Sequence, residues 1–303
     1  SCLVGSEMCI RDRFPIIQAQ GNVEIKGLMV SLNRMERGKG TKSALKEIAE
    51  KYGFKTTAIV TMADVVEHLY NKPYKGKVII DDLSNSNIEV LDGIERITGI
   101  RPEFIKLDLK DKEGTREALK AHPGIKGIIL FAASKAVGES VQQPLKYYRN
   151  NVVTLVNLLE LMPEFNIEGI VFSSSCTVYG QPDPENLPVT ENAPIKPATS
   201  PYGNTKQINE EIIRDTIHAG APFKSIILRY FNPIGAHPTA EIGELPNGVP
   251  QNLIPYLTQT AMGIRKELSV FGDDYDTPDG SCIRDYINVV DLAKAHVIAM
   301  DRM

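Results

Sequence analysis

The sequence predicts an α/β protein built on a doubly wound parallel sheet. Three observations carry that expectation. Short apolar runs such as Lys77-Val-Ile-Ile-Asp-Asp82 and Gly127-Ile-Ile-Leu-Phe131 read as strands buried on both faces. These runs alternate with helical patterns, which implies right-handed βαβ crossovers. After residue 232 the chain turns loop-rich, with Gly235, Pro238, Gly243, Pro246, Gly248 and Pro250, as expected of insertions that build a substrate lobe over the sheet's C-terminal edge.

Taken in order, the strand at Lys77–Asp82 ends in acid. A helix over Asn87–Thr98 follows, with Leu91, Ile94 and Ile97 on one face. Glu103–Leu109 reads as a strand, Lys112–Ala121 as a helix and Gly127–Phe131 as a strand. Pro144–Met162 is a long helix, Gly169–Ser174 a strand, Tyr202–His218 a helix and Ser225–Arg229 a strand. Upstream, Gly27–Leu32 reads as a buried strand and Arg34–Gly40 as a basic, glycine-bearing loop. Thr41–Tyr52 is helical, with Ala44, Leu45, Ile48 and Ala49 in register and Gly53 as a stop. Thr56–Thr61 is a strand and Met62–Tyr70 a helix. Residues Ser1–Arg13 follow no period and lack the apolar core of a signal peptide. They read as translated sequencing-adapter sequence or, alternatively, as a disordered tail.

Composition narrows the function. A length of 303 residues, 42% hydrophobic and 24% charged, is ordinary for a globular enzyme. A formal charge of -4 argues against a nucleic-acid binder, and no apolar run approaches a membrane span. The four cysteines, Cys2, Cys9, Cys176 and Cys282, show no metal spacing and form no disulfide framework. No metal is expected, and a reducing cytoplasm is the expected location.

Three pieces of chain point at one chemistry: Ser173-Ser-Ser175, Tyr202-Gly-Asn-Thr-Lys206 and Arg229-Tyr-Phe-Asn-Pro233. Tyr-x-x-x-Lys puts a phenol and an ammonium one turn apart on a helix face. A phenol titrating near ~10 is no base at neutral pH. A neighbouring lysine lowers it, and a serine from an adjacent strand relays the proton. Such a set suits proton abstraction from a hydroxyl coupled to hydride transfer to a nicotinamide.

From residue 77 onward, the runs DDLSNS, FAASKAVGESVQQPLKYYRNNV, VFSSSCTVYG, SPYGNTK, LRYFNPIGAHP, NGVPQNLIPY and LSVFGDDYDTPDGSCIRDYI resemble UDP-glucose 4-epimerases of the extended short-chain dehydrogenase group. The resemblance implies NAD as cofactor, a Rossmann-like domain over 77–232 and a substrate lobe from 233 to 303. It makes Ser175, Tyr202 and Lys206 catalytic. Asp81 would accept hydrogen bonds from the adenosine ribose and disfavour NADP, with Asp82, Asn85 and Ser86 beside it. Asp82 stands where the family usually has Asn. Asp108 and Leu109 would flank the adenine. Phe131, Ala132, Ala133, Lys135, Asn150 and Phe231 would line the nicotinamide side, with Tyr202 and Lys206 reaching its ribose. Lys135, Ser175, Asn232, Asn252, Leu253, Ser269, Phe271 and Arg284 would hold the UDP-sugar. Cys176-Thr177 replaces the Asp-Glu pair of the related dehydratases, which favours epimerisation. A nucleotide-sugar partner is implied, a membrane or nucleic acid is not, and a homodimer is compatible.

Residues 14–80, through GLMVSLNRMERGKGTKSALKEI and KTTAIVTMADVVEHLY, resemble the C-terminal part of orotate phosphoribosyltransferases. By that resemblance Arg34 is an orotate contact. The acidic pyrophosphate loop that precedes it in that family is missing, so no transferase activity is expected. The epimerase family's first βαβ unit, with its G-x-x-G-x-x-G turn, does not precede Asp81, and its final lobe would run past Met303. Gly38-Lys-Gly40 lacks the spacing. The segment Thr56–Tyr70 occupies the position of that unit. Ala58–Val60 is therefore expected to pair beside Val78–Ile80, with Asp64 where a pyrophosphate would lie. Three readings stay open: an active epimerase, a chain that binds nucleotide sugar without turnover, and an inert chimera. Another nucleotide-sugar epimerase or dehydratase is a further alternative.

Overall fold

The computed structural model describes the backbone of Gly27–Asn33 and Lys55–Thr61, and residues 77–303 apart from Phe271. The chain divides into two units, Ser1–Lys75 and Gly76–Met303. In the first, β1 (Gly27–Asn33) and β2 (Lys55–Thr61) run parallel, with Gly27 opposite Lys55 and Asn33 opposite Thr61. The tail 1–13, Arg34, Asp64 and the helical patterns over 41–52 and 62–70 lie outside the described residues.

The second unit opens with β3 (Val78–Asp81), which pairs in parallel with β4 (Glu103–Lys106). Between them lies α1 (Val90–Thr98), stopped by Gly99 in the left-handed conformation at φ 70°. Helix α2 (Lys112–Ala121) follows, capped by Asp111, whose side chain accepts a bond from the Gly114 N–H at 2.9 Å. Strand β5 (Gly127–Leu130), the short helix α3 (Val137–Gln142) and α4 (Pro144–Leu161) lead to β6 (Gly169–Ser173). Helix α5 (Pro201–His218) then crosses to β7 (Lys224–Leu228). Strands β5, β6 and β7 form one parallel sheet with β6 in the middle. The extended reading of 103–109, 127–131 and 169–174 overshoots each strand's end, where the chain peels off into turns.

All five residues of β6 are buried. The core gathers Leu155, Leu158 and Leu161 of α4, Ile213 of α5, Ile170 and Phe172 of β6, and Leu119 of α2. Two helices therefore press on the central strand, and their apolar stripes fix the direction in which its C-terminal end points. Beyond residue 232 the loops hold more order than the sequence suggests. They contain β8 (Asn232–Ile234), α6 (Leu253–Ala261), β9 (Tyr286–Asn288) and α7 (Val289–Asp301), with β8 and β9 paired in parallel.

Among the ladders of the described residues, the one expected between Ala58–Val60 and Val78–Ile80 does not occur. Strand β2 pairs with β1, and β3 pairs with β4. The doubly wound sheet is also interrupted, since no ladder joins β3 to β5 among the described residues. In a doubly wound sheet of order 3-2-1-4-5-6 the first strand lies between those two neighbours. At that position a cleft of about 1310 Å³ runs along Val78–Ile80 of β3 and Gly127–Leu130 of β5.

After β6 the chain makes a single 3-10 turn, Cys176–Tyr179, and leaves it through Gly180 at φ 64°, ψ -138°. A Cβ at Gly180 would meet the carbonyl oxygens of Pro197 at 2.5 Å and Lys196 at 3.0 Å. Both the backbone angles and the space demand glycine. Gly180→Ala is expected to lower stability by about 2 kcal/mol or more, read as a drop in the thermal unfolding midpoint. An unchanged midpoint would show that the turn relaxes freely.

Candidate active site

The end of β6 is tied to the exit of β7. The Ser174 N–H donates to the Leu228 carbonyl at 2.9 Å, and the Cys176 N–H to the Tyr230 carbonyl at 3.1 Å. Ser175 caps the 3-10 turn, its Oγ accepting from the Thr177 N–H at 3.2 Å. Helix α5 starts opposite. Pro201 occupies its first turn, and the Ser200 hydroxyl accepts from the Gly203 N–H at 3.1 Å. A Cβ at Gly203 would lie 3.3 Å from Thr177, so glycine lets the first turn of α5 close tightly on the 3-10 turn. That approach brings the Tyr202 phenol near enough to Ser175 for the serine to act on its titration.

One turn on, Lys206 is 4% exposed. Its Nζ donates to the Ser173 carbonyl at 2.7 Å and sits 4.9 Å from the Phe172 ring centre and 5.8 Å from that of Tyr202. Burial pushes its ammonium down to about 8, and Glu210 pulls it back up. Burial pushes the Tyr202 phenol up to about 12. The Ser175 hydrogen bond opposes that rise, while Tyr230 and Cys176 add to it. The three side chains lie at the end of β6, and the phenol lies above its ordinary range where the sequence reading put it below. The lysine is bonded to a backbone carbonyl, and Ser175 opposes the rise of the phenol.

Glu210, 1% exposed, continues the column along α5. Its carboxylate accepts from Ser174 Oγ at 2.6 Å, from Arg229 Nε at 2.9 Å and Nη2 at 2.6 Å, and from Arg214 Nη2 at 2.7 Å. Ser173 Oγ is hydrogen-bonded to Tyr230 Oη. The ring of the buried His296 lies 4.5 Å from Phe131 and 5.8 Å from Tyr230, centre to centre.

Eleven of the expected cofactor residues line the cleft beside β3 and β5, namely Asp81, Asp82, Asn85, Ser86, Asp108, Leu109, Phe131, Ala132, Ala133, Lys135 and Asn150, whereas Tyr202 and Lys206 are not part of that lining. Asp81 Oδ1 accepts from the Leu83 N–H and from Ser86 Oγ, both at 2.6 Å. This fixes a turn in which Leu83 takes φ 60°. Burial opposes the charge of Asp82, but its Ser84 hydrogen bonds and Lys110 outweigh burial and hold the carboxyl below its usual range. Lys110 bridges Asp108 Oδ2 at 3.1 Å and Asn150 Oδ1 at 3.0 Å. Phe131 is 56% exposed at the cleft rim.

The expected substrate residues are less gathered. Asn252 donates to Glu244 Oε1 at 2.7 Å, and Lys135 Nζ lies 3.4 Å from the same oxygen. Leu253 opens α6. Asn232 lies in β8 and donates to the Asp285 carbonyl at 3.0 Å. The exposed Arg284 acts on the Cys176 thiol, whose titration burial raises and Arg284 lowers. Ser269 is exposed on a loop, and Phe231 follows β7 without joining the cleft lining. Phe271 lies outside the described residues. Glu210, His296 and Glu244 carry no expectation from the sequence, while Ser174 and Tyr230 lie inside the serine run and the Arg229–Pro233 motif without a role of their own. Only Glu210 carried a signal there, its position at i+4 from Lys206 and i+8 from Tyr202.

Among the described residues no helix is long and apolar enough to cross a membrane, and no three His, Cys, Asp or Glu side chains are placed to hold a metal. The chain is 48% identical over 226 residues to UDP-glucose 4-epimerase of Dictyostelium discoideum, and 50% identical over 226 residues to that of Bacillus subtilis. Both matches cover 75% of this chain, and the chain spans 64% and 66% of those two relatives. The structure superposes on UDP-glucose 4-epimerase from Bifidobacterium longum in complex with NAD+ and UDP with a TM-score of 0.71 at 37% identity, over 92% of this chain and 75% of that one. The enzyme from Stenotrophomonas maltophila, with bound NAD and formylated UDP-arabinopyranose, gives a TM-score of 0.69 at 37% identity, over 92% and 74%. Residues 63–303, reaching upstream of the motifs that begin at 77, match the NAD dependent epimerase/dehydratase family, and the chain belongs to it.

Proposed function

We propose that this chain carries the machinery of UDP-glucose 4-epimerisation, with NAD in the cleft beside β3 and β5. The observation that supports it most is the gathering of Tyr202 and Lys206, one turn apart on α5, at the Ser173–Ser175 end of β6, with Lys206 Nζ 2.7 Å from the Ser173 carbonyl and 5.8 Å from the Tyr202 ring centre. The donor set fits the cofactor. Asp81 closes β3, and among the described residues both hydrogen bonds it accepts go to Oδ1, which leaves a second carboxylate oxygen for a ribose diol. An acid there disfavours a 2′-phosphate and so favours NAD over NADP. Phe131, Ala132, Ala133, Lys135 and Asn150 would line the nicotinamide side. NAD, when bound, would supply a reversible hydride acceptor for the sugar's C4.

Tyr202 then takes the proton of the 4-hydroxyl, with Ser175 donating to the phenolate. A phenol at about 12 is no base at neutral pH. Bringing it to near ~7 takes ~7 kcal/mol. The sources proposed are the Ser175 hydrogen bond, the Lys206 ammonium turned from the Ser173 carbonyl toward the phenol, and the positive charge of an oxidised nicotinamide. Arg284, beside Cys176, would face the pyrophosphate. Asn232, Asn252, Leu253, Ser269 and Phe271 would complete the UDP site. The Cys176-Thr177 pair offers no acid and base for eliminating water, so epimerisation is favoured over dehydration. Residues 14–76 would be a scaffold without transferase chemistry.

The second reading is a chain that binds nucleotide sugar without turnover. It is favoured by the missing glycine-rich turn before Asp81, where close backbone approach would cradle a pyrophosphate. Absorbance and mass spectrometry of the purified chain test for bound NAD, and a UDP-glucose titration tests the substrate site. NAD with epimerase turnover supports the first reading, and UDP-glucose binding alone supports the second.

Two substitutions test the assigned roles. Tyr202→Phe is expected to remove at least ~100-fold of any epimerase rate, the lower end for a positioned proton-transfer group. Equal rates would refute the assignment. Lys206 titrates at about 8 when folded, against an ordinary 10.5, so its buried charge costs stability in full below pH 8 and the cost fades as pH rises to 10.5. Lys206→Met is therefore expected to be more stable than the parent at pH 7, by up to ~3 kcal/mol, with the advantage shrinking above pH 8. A variant less stable at pH 7 would show that the lysine's charge is not strained.

A further inference from the structure

Glu210 is a fully buried carboxylate outside the Ser-Tyr-Lys set, and its four hydrogen bonds all run to groups that shape that set. Ser174, which donates to it, lies between Ser173, whose carbonyl receives Lys206, and Ser175, which meets Tyr202. Arg229 grips it as a two-pronged fork and stacks over the Tyr179 ring at 4.9 Å, so the 3-10 turn and the exit of β7 are bound to the same carboxylate. Arg214, one turn further along α5, approaches from the solvent side.

We propose that Glu210 is a positioning residue which keeps Lys206 charged and sets the Ser173–Ser175 strand end against Tyr202. The inference rests on the epimerase reading for its meaning but not for its test. Two opposing groups act on the lysine through this carboxylate. Glu210 favours the ammonium, while Arg229 and Arg214 spend part of the negative charge on themselves. The groups around the lysine come from every packed element. Tyr202 and Glu210 come from α5, the Phe172 ring and the Ser173 carbonyl from β6, and Cys176 and Tyr179 from the 3-10 turn. Arg229 and Tyr230 come from the exit of β7. Asn151 of α4 reaches Thr205 at 3.0 Å, and His296 of α7 stands behind Tyr230. Among these, Glu210 is the carboxylate that faces Lys206. Burial opposes its charge, but Arg229, Ser174 and Arg214 outweigh burial and hold it ionised below the usual carboxylate range.

The test is the titration of Lys206 itself, followed by NMR correlation of Cε and Nζ in the full chain labelled with 13C,15N-lysine, its signal identified by its loss in Lys206→Met. Glu210→Gln keeps the shape and removes the charge. It is expected to move the Lys206 midpoint down by about one pH unit, a ten-fold change in the ratio of neutral to charged lysine. Arg214→Gln, at a half-exposed site, removes a competing cation, and a smaller upward move is expected. Opposite directions in the two variants support the proposal. Movement in the same direction, or none in both, overturns it, since a merely structural role has no sign. Should Glu210→Gln fail to fold, Arg214→Gln decides alone: an upward move supports the proposal and an unmoved midpoint overturns it. Loss of NAD or UDP-glucose binding in the parent chain would sink the functional reading without touching this titration.

Discussion

The contact on which the candidate site depends is the packing of helix α5 across the end of β6. Three side chains on one face of α5, Tyr202, Lys206 and Glu210, each meet one residue of the run Ser175, Ser173 and Ser174. The helix is placed for this by Ser200 and Pro201 at its start, by Gly203 against Thr177, and by Ile213 in the core further along. A buried ammonium and carboxylate are costly to desolvate, and the Ser173 carbonyl, the Ser174 hydroxyl and the arginine fork offset that cost. That cost falls where proton affinities must be tuned.

The second constraint is the interruption of the sheet between β3 and β5. The strand ends around it place Asp81, Ala132, Ala133 and Phe131 on the lining of the cleft. The cleft walls along Val78–Ile80 and Gly127–Leu130 are apolar strand edges. The two parts of the candidate site are organised separately. Asp81 and its turn are held by local hydrogen bonds, whereas the end of β6 is held by helices from elsewhere in the chain.

Much of this was legible in the sequence. The βαβ alternation, the bounds of the helix at Lys112–Ala121, the Ser–Tyr–Lys set and the acid at the end of β3 all follow from local pattern, because strand runs, caps and i,i+4 spacing are set by neighbours in sequence. Helices α6 and α7 were harder to read, since proline and glycine surround the first and neither carries a clear apolar stripe. The ladder between Ala58–Val60 and Val78–Ile80 was a plausible reading of strand–helix–strand spacing, but spacing does not choose a strand's partner.

By itself the sequence determined the fold class, the order of elements from residue 77 and the membership of the Ser–Tyr–Lys set. The tertiary structure alone decided how those groups are poised. Burial, which no local pattern reports, raises Tyr202 instead of lowering it and weakens the hold of Lys206 on its proton. The residues that answer that burial, Glu210, Arg229 and Ser174, come together from a helix, a strand exit and a turn. Distant segments meet only when the core closes, so their electrostatic coupling exists only in the folded chain.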